Sequence, residues 1–142
     1  LFPADGKTVF VADNNPKGNV HLVSFAVQAD GTLAEKKVLF DFVSGRGIDG
    51  MTLDASGNIY ATAGTGEKAG IYIFSSKGEH LAFIPTPGDP TNCTFGFADD
   101  ANRSYLYITA STGPKKDGKD PKFGLFRISL PVKGYHLVTP TK

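Results

Sequence analysis

The 142-residue sequence predicts an all-β protein, a β-propeller of which the chain supplies about three blades within one domain, residues 1–142. Three observations predict it. PADGKTVFVAD, DASGNIYATAG and DDANRSYLYITAS correspond to one another, so that Phe10, Tyr60 and Tyr107 fall 50 and 47 residues apart. Phe25, Phe74 and Ile128 repeat the same spacing, 49 and 54 residues apart. Each repeat also reads as four short strands, and 17 Gly with 9 Pro supply many tight turns. A period near this length with four strands per unit marks a propeller blade. A β-sandwich of evenly spaced strands is the alternative. The expected blades are approximately 1–43, 49–85 and 91–138. Their innermost strands fall near Leu1 to Pro3, Gly50 to Asp54 and Asn92 to Phe97.

The elements follow in order. LFPADG reads as the end of a strand and a turn, and Thr8 to Ala12 is β-branched and aromatic, a strand. Asn14 to Gly18 carries turn residues. Asn19 to Val27 alternates loosely and ends at Asp30-Gly31, a hairpin signal. Glu35 to Val43 is a strand with a polar start, and Gly50 to Asp54 begins the next unit. Ser56-Gly57 turns the chain into the strand Ile59 to Ala63. Gly64 to Ala69 is a loop, Gly70 to Ser75 a strand, and Lys77-Gly78 a turn into His80 to Pro85. Asn92 to Phe97 opens the last unit. The turn Asp99 to Arg103, the strand Tyr105 to Ala110, the loop Ser111 to Phe123 and the strand Gly124 to Leu130 complete it.

Composition excludes several classes. Fifteen Lys+Arg against 14 Asp+Glu give a net charge of +1 with no basic patch, so nucleic acid is not an expected partner. No apolar run approaches the ~20 residues that span a bilayer, so no membrane partner is expected. Cys93 is the single cysteine, which excludes an intrachain disulfide and leaves the compartment open. Leu1 is followed by no charged and apolar leader pattern. The chain reads as the C-terminal part of a longer protein or one piece of a split one. Three blades do not close a ring. The missing blades are expected from a preceding segment, another chain or self-association.

The chemistry centres on Gly45 to Gly64, GRGIDGMTLDASGNIYATAG, where Asp49 looks like a buried carboxylate just before an innermost strand. By spacing alone it is equally a metal ligand at the central tunnel or a cap on the turn. Thr91 and Asn92 take the matching places in the last unit, opposite Asp49 and Gly50. There they line the tunnel for substrate hydroxyls or form a turn. Arg46, in the loop leading to Asp49, lies at the same end, where it rims the pocket to meet a substrate carboxylate or hydroxyl or is simply a solvated loop residue. The loops Asn14 to Gly18, Gly64 to Ala69 and Ser111 to Phe123 surround that mouth. His21 and His80 fall within outer strands and His136 near the end of the chain. No HExxH spacing and no GxSxG elbow exists, which argues against a zinc-protease site and a serine triad. Cys93 matches Met51 in register and reads as packing, and Asp30 and Asp54 read as turn residues.

IDGMTLDASGNIYATAG, GIYIFSSKGEHLAFIPTPGDPTNCTFGFADDANRSYLYITAS and GLFRISL together resemble the SMP-30/gluconolactonase/luciferin-regenerating enzyme (LRE)-like family, from about Phe2 to Leu130. The resemblance implies a six-bladed propeller, of which this chain is the C-terminal half. It also implies one divalent metal at the top of the tunnel, calcium first, with zinc, magnesium or manganese as alternatives. The implied activity is gluconolactonase-like: hydrolysis of a sugar lactone, a carboxylic ester, by metal-activated water. Asp49 falls on the family's Asp of the DGM element, a metal ligand and candidate base. Arg46, Thr91 and Asn92 remain candidates for substrate binding. The family's other ligands, an Asn opening the preceding blade and a Glu nearer the N-terminus, would lie outside this chain. A phosphotriesterase-like hydrolase on the same fold, or a propeller that binds a ligand or protein without catalysis, are the alternatives.

Overall fold

The computed structural model describes residues 1–15, 18–43, 45–97, 101–111 and 122–136. These residues form three antiparallel sheets. The first holds β1 (Thr8–Asn14), β2 (Val20–Val27) and β3 (Leu33–Asp41) in chain order. The second runs β4 (Met51–Leu53), β5 (Ile59–Ala63), β6 (Gly70–Phe74) and β7 (His80–Pro85). The third holds β8 (Pro90–Phe95), β9 (Tyr105–Ser111) and β10 (Phe123–Ser129). Successive strands joined by short turns, with every sheet starting from its first strand at one edge, form the meander of a propeller blade. The sandwich alternative, with these strands in two facing sheets, does not hold.

The repeat read from the sequence is a register in the structure. Phe25, Phe74 and Ile128 stand opposite Val9, Ile59 and Leu106, each one residue before Phe10, Tyr60 and Tyr107. Leu1 extends the first sheet on its inner side: its N–H donates to Phe10 O at 3.0 Å and Phe10 N–H donates back at 2.9 Å. Polar residues make the turns. Asp54 Oδ1 accepts the Ser56 and Asn58 N–H groups, and Gly57 sits at φ +84°, a conformation glycine adopts without steric cost. Asp30 Oδ1 does the same for Thr32 N–H and Oγ1–H.

Two cores separate the three sheets. Phe10, Leu22, Ile48, Leu53, Ile59, Ala61 and Phe74 fill the space between the first and second. Tyr60, Ile71, Ile73, Cys93, Phe95, Leu106 and Ile108 fill that between the second and third. Every residue of β5 is buried, because its sheet is covered on both faces, and its sequence is accordingly near-continuous in apolar and small residues. Each large side chain such as Phe74 contributes about 1.5–3 kcal/mol on burial. The segment after β10 has no counterpart in the sequence reading. It returns to the far end of β4, where Tyr135 N–H donates to Leu53 O, Ala55 N–H donates to Lys133 O, and Gly134 bridges to Asp54. Gly134 lies so close to Phe95 that an added Cβ would stand 2.1 Å from Phe95 Cβ.

Candidate functional site

Asp49 and Gly50 precede β4 but are still held by the edge of β5. Asp49 N–H donates to Thr62 O at 2.9 Å and Thr62 N–H donates to Gly50 O at 2.9 Å. The buried Thr62 hydroxyl accepts Gly50 N–H at 2.8 Å and donates to Gly50 O at 3.1 Å. The chain leading in is braced as well: Asn14 Nδ2 donates to Ile48 O at 2.6 Å, and Gly64 N–H donates to Arg46 O at 3.3 Å. Six hydrogen bonds therefore fix where the Asp49 carboxylate starts.

That carboxylate is not buried, contrary to the expectation from sequence. Its side chain is 41 % exposed and forms an ion pair with Arg46, three residues earlier. The reason is local. Asp49 lies where a loop enters a strand, with its backbone paired and its side chain clear of both cores. The buried carboxylate of this stretch is Asp54, 1 % exposed, whose second oxygen takes Asn58 Nδ2–H at 2.9 Å and the Tyr60 hydroxyl at 3.4 Å. Burial, followed by the Asp54 charge and hydrogen bond, pushes the Tyr60 hydroxyl up to about 12.

Asn92 comes against Gly50. A Cβ at Gly50 would lie 2.2 Å from Asn92 Oδ1 and 2.8 Å from Asn92 Cα, so only glycine permits this approach. Asn92 Oδ1 accepts the Cys93 N–H at 2.8 Å, and the residue is otherwise exposed. Thr91 Oγ1 spends its hydrogen bonds on Thr109, 2.8 Å from its hydroxyl and 3.2 Å from its carbonyl. Arg46 and Asp49 thus meet by ion pairing, and Asn92 meets the backbone beside them, while Thr91 is tied to β9. Thr62 and Thr109 are positioning residues that the sequence reading did not single out, and Asn14 entered it only as the start of a loop. Thr62 and Thr109 could have been found, since the aligned YATAG and YITAS place a Thr at the same register position in each repeat.

Cys93 is buried in the place corresponding to Met51, with its S–H directed to Tyr60 O at 3.4 Å. Burial pushes its thiol up to about 12, so it is packing material and no nucleophile at neutral pH. His21 is on β2, between β1 and β3, with Nε2 3.5 Å from Asp41 Oδ2. His80 packs on the rings of Tyr72 and Phe74, and His136 Nε2 lies 3.0 Å from Gly96 O. Of the expected mouth loops, Gly64 to Ala69 is described in full. Residues 16 and 17 and residues 112–121 of the other two lie outside the described residues, as do 99–100 of the expected turn and 137–138 of the last blade.

Among the described residues no three His, Cys, Asp or Glu side chains group as a metal site. What is present still fits a hard dication in part. The Asp49 carboxylate is accessible, though paired with Arg46, and Asn92 adds an amide oxygen beside Gly50. Oxygen donors of this kind suit calcium or magnesium, which take six or more of them.

Residues 1–112 match the SMP-30/Gluconolactonase/LRE-like region. A gluconolactonase of Zymomonas mobilis is 30 % identical over an alignment of 114 residues that covers 74 % of this chain and 30 % of that protein. A solved gluconolactonase of Xanthomonas campestris superposes with a TM-score of 0.66 at 31 % identity, over 92 % of this chain and 36 % of that one. Two further structures share the fold at lower identity. A luciferin-regenerating enzyme has a TM-score of 0.73 at 21 % identity, over 97 % of this chain and 46 % of its own. A regucalcin of Agrobacterium tumefaciens, a calcium-binding protein, has 0.67 at 24 %, over 94 % and 45 %. The chain therefore spans between 30 % and 46 % of the length of these relatives.

Proposed function

We propose, from the premise that the chain belongs to the SMP-30/gluconolactonase/LRE-like family, that it forms the C-terminal half of a divalent-metal-dependent propeller hydrolase acting on a sugar lactone. The observation that carries this reading is the Arg46–Asp49 ion pair with Asn92 packed on the neighbouring Gly50, in a chain about 30 % identical to gluconolactonases. Asp49 would be one oxygen ligand and the candidate base, with Asn92 beside it and Thr91 and Arg46 toward the substrate hydroxyls. A dication, calcium first, would supply Lewis acidity toward the lactone carbonyl. The remaining ligands belong to the missing blades. The protein's own contribution is positional: Thr62 and Asn14 hold the backbone on both sides of Asp49, so its carboxylate needs no large rearrangement to serve.

The reading from another class, a propeller that binds without catalysis, is favoured by one observation. Asp49 already has a counter-charge in Arg46, and no further carboxylate joins them in a metal-type group among the described residues. Lactone hydrolysis with and without chelator, together with calorimetric calcium titration on the complete assembly, separates the two. We expect Asp49→Ala to weaken calcium binding by at least about tenfold and to lower kcat, with Asp49→Asn intermediate because it keeps an oxygen donor. Thr91→Ala is expected to act on KM. Parent-like calcium binding and turnover in Asp49→Ala would leave the carboxylate as a turn cap.

A further inference from the structure

A cleft of about 470 Å³ opens beside Arg46, between the chain leaving β3 and the loop joining β5 to β6. Its apolar side is aromatic. Phe40, Phe42 and Tyr72 line it, with Phe42 and Phe40 edge-on at 4.9 Å and Phe42 and Tyr72 edge-on at 5.4 Å. Its polar side is cationic. Arg46 lines it with its charge already matched by Asp49, and the exposed Lys68 has no ion-pair partner among the described residues, which leaves Lys68 as the available cation. The Lys68 position is built: Gly64, at φ +74°, lets the Lys68 carbonyl pass where a Cβ would be 2.0 Å away, and Tyr72 Oη–H donates to that carbonyl at 3.0 Å. Asp41 also borders the cleft, but one of its oxygens accepts Val43 N–H at 2.7 Å and the other lies 3.5 Å from His21. Val43 itself is held at φ +62° with 84 % of its surface exposed. A β-branched residue in the left-handed region is strained, and such strain concentrates at ligand clamps and active sites.

We infer that this cleft is a binding site for a small organic carboxylate carrying an apolar ring. The ring lies against Phe42 and Tyr72, and the carboxylate meets Lys68. The volume admits one ring with a short side arm, and an aromatic wall closed by a cation discriminates for both features at once. The cleft adjoins the Asp49 carboxylate through Arg46, but the Phe42, Tyr72 and Lys68 side chains that hold this ligand have no part in the proposed lactone chemistry, so the binding is tested apart from hydrolysis.

The test is calorimetric titration of the complete assembly with phenylacetate, benzyl alcohol and acetate, the last two lacking the charge or the ring. We expect phenylacetate to bind saturably, and both controls at least about fivefold more weakly. Lys68→Glu should weaken phenylacetate by about fivefold or more while leaving benzyl alcohol nearly unchanged. Thr65→Trp, which places an indole at the exposed rim, should remove binding of both ring compounds. Both substituted residues are exposed, and an unchanged melting curve checks the fold. Absence of saturable phenylacetate binding, or equal binding in parent, Lys68→Glu and Thr65→Trp, would overturn the inference. Either result would leave the calcium and lactone measurements on Asp49 standing as they are.

Discussion

Cys93 and Tyr60 face each other across the second core, and both titrate only well above neutrality. Cys93 has its thiol raised from 9.0 to about 12 by burial, a shift that Thr52's hydrogen bonding only partly offsets. Tyr60 is raised from 10.0 to about 12 by burial and by Asp54. Both groups hold their protons longer in the folded chain than in the unfolded one. Their contribution to stability is therefore complete below pH 9, and it is lost as pH climbs from 9 toward 12. Denaturant midpoints measured from pH 7 to pH 11 should be level at first and then fall, more steeply above pH 10 where both groups respond. Cys93→Ala should lower the midpoint at every pH, since it leaves a cavity, yet flatten the limb between pH 9 and pH 10. A thiol reagent at pH 8 should label Cys93 only in denaturant. Rapid labelling of the native chain would mean that the packing around β8 is looser than described.

At the scale of the elements, the contact between Gly50 and Asn92 joins the head of β4 to the head of β8. Gly50→Ala puts a methyl where Asn92 Oδ1 and Cα already stand, and the collision is with backbone as well as a side chain. We expect a loss of about 1–3 kcal/mol in unfolding free energy from the overpacking. Gly57→Ala should cost less, because nothing lies within 4 Å of its added Cβ and only its φ of +84° opposes the change. Chemical denaturation of the two variants gives the comparison, and a Gly50→Ala chain as stable as Gly57→Ala would show that β8 is not seated there. The strands on either side of this contact were legible in the sequence, because alternating or continuous apolar runs between Asp-Gly, Ser-Gly and Lys-Gly turns are local signals. The pairing of the repeats was legible too, and with it the nearness of Asn92 to Gly50. The Arg46–Asp49 ion pair was not, since it depends on the path of a loop and on rotamers that no periodicity encodes. Nor was the return of Lys133 to Tyr135 onto Leu53 and Ala55, a non-local pairing with no turn signal to announce it. The sequence also misjudged which carboxylate is buried. Asp54 was read correctly as a turn residue, but its complete enclosure comes from Tyr60 and the returning segment, which arrive from elsewhere in the fold.

For the whole molecule, the decisive surface is the outer face of the third sheet. In the second sheet, Tyr60, Ile71 and Ile73 are buried against the third. By register, Tyr107, Leu125 and Arg127 are their counterparts one repeat on, since Tyr60 pairs with Ile73 as Tyr107 pairs with Arg127. Those counterparts face outward: Leu125 is 70 % and Phe123 72 % exposed, with Arg127 stacked 4.7 Å over the Tyr105 ring. The arrangement that buries one sheet's face on the next is thus repeated at the end of the described chain without a following sheet. Apolar side chains in that position drive association. We expect the isolated 15.1 kDa chain to sediment as larger species or to bind a hydrophobic dye, and Phe123→Lys with Leu125→Lys to suppress both. The same pair of changes should hinder reconstitution with the blades that complete the propeller, since a lysine pair would then be buried where a neighbouring sheet must pack. A parent chain that is monodisperse at 15.1 kDa, binds no dye and melts cooperatively would show that this face needs no cover.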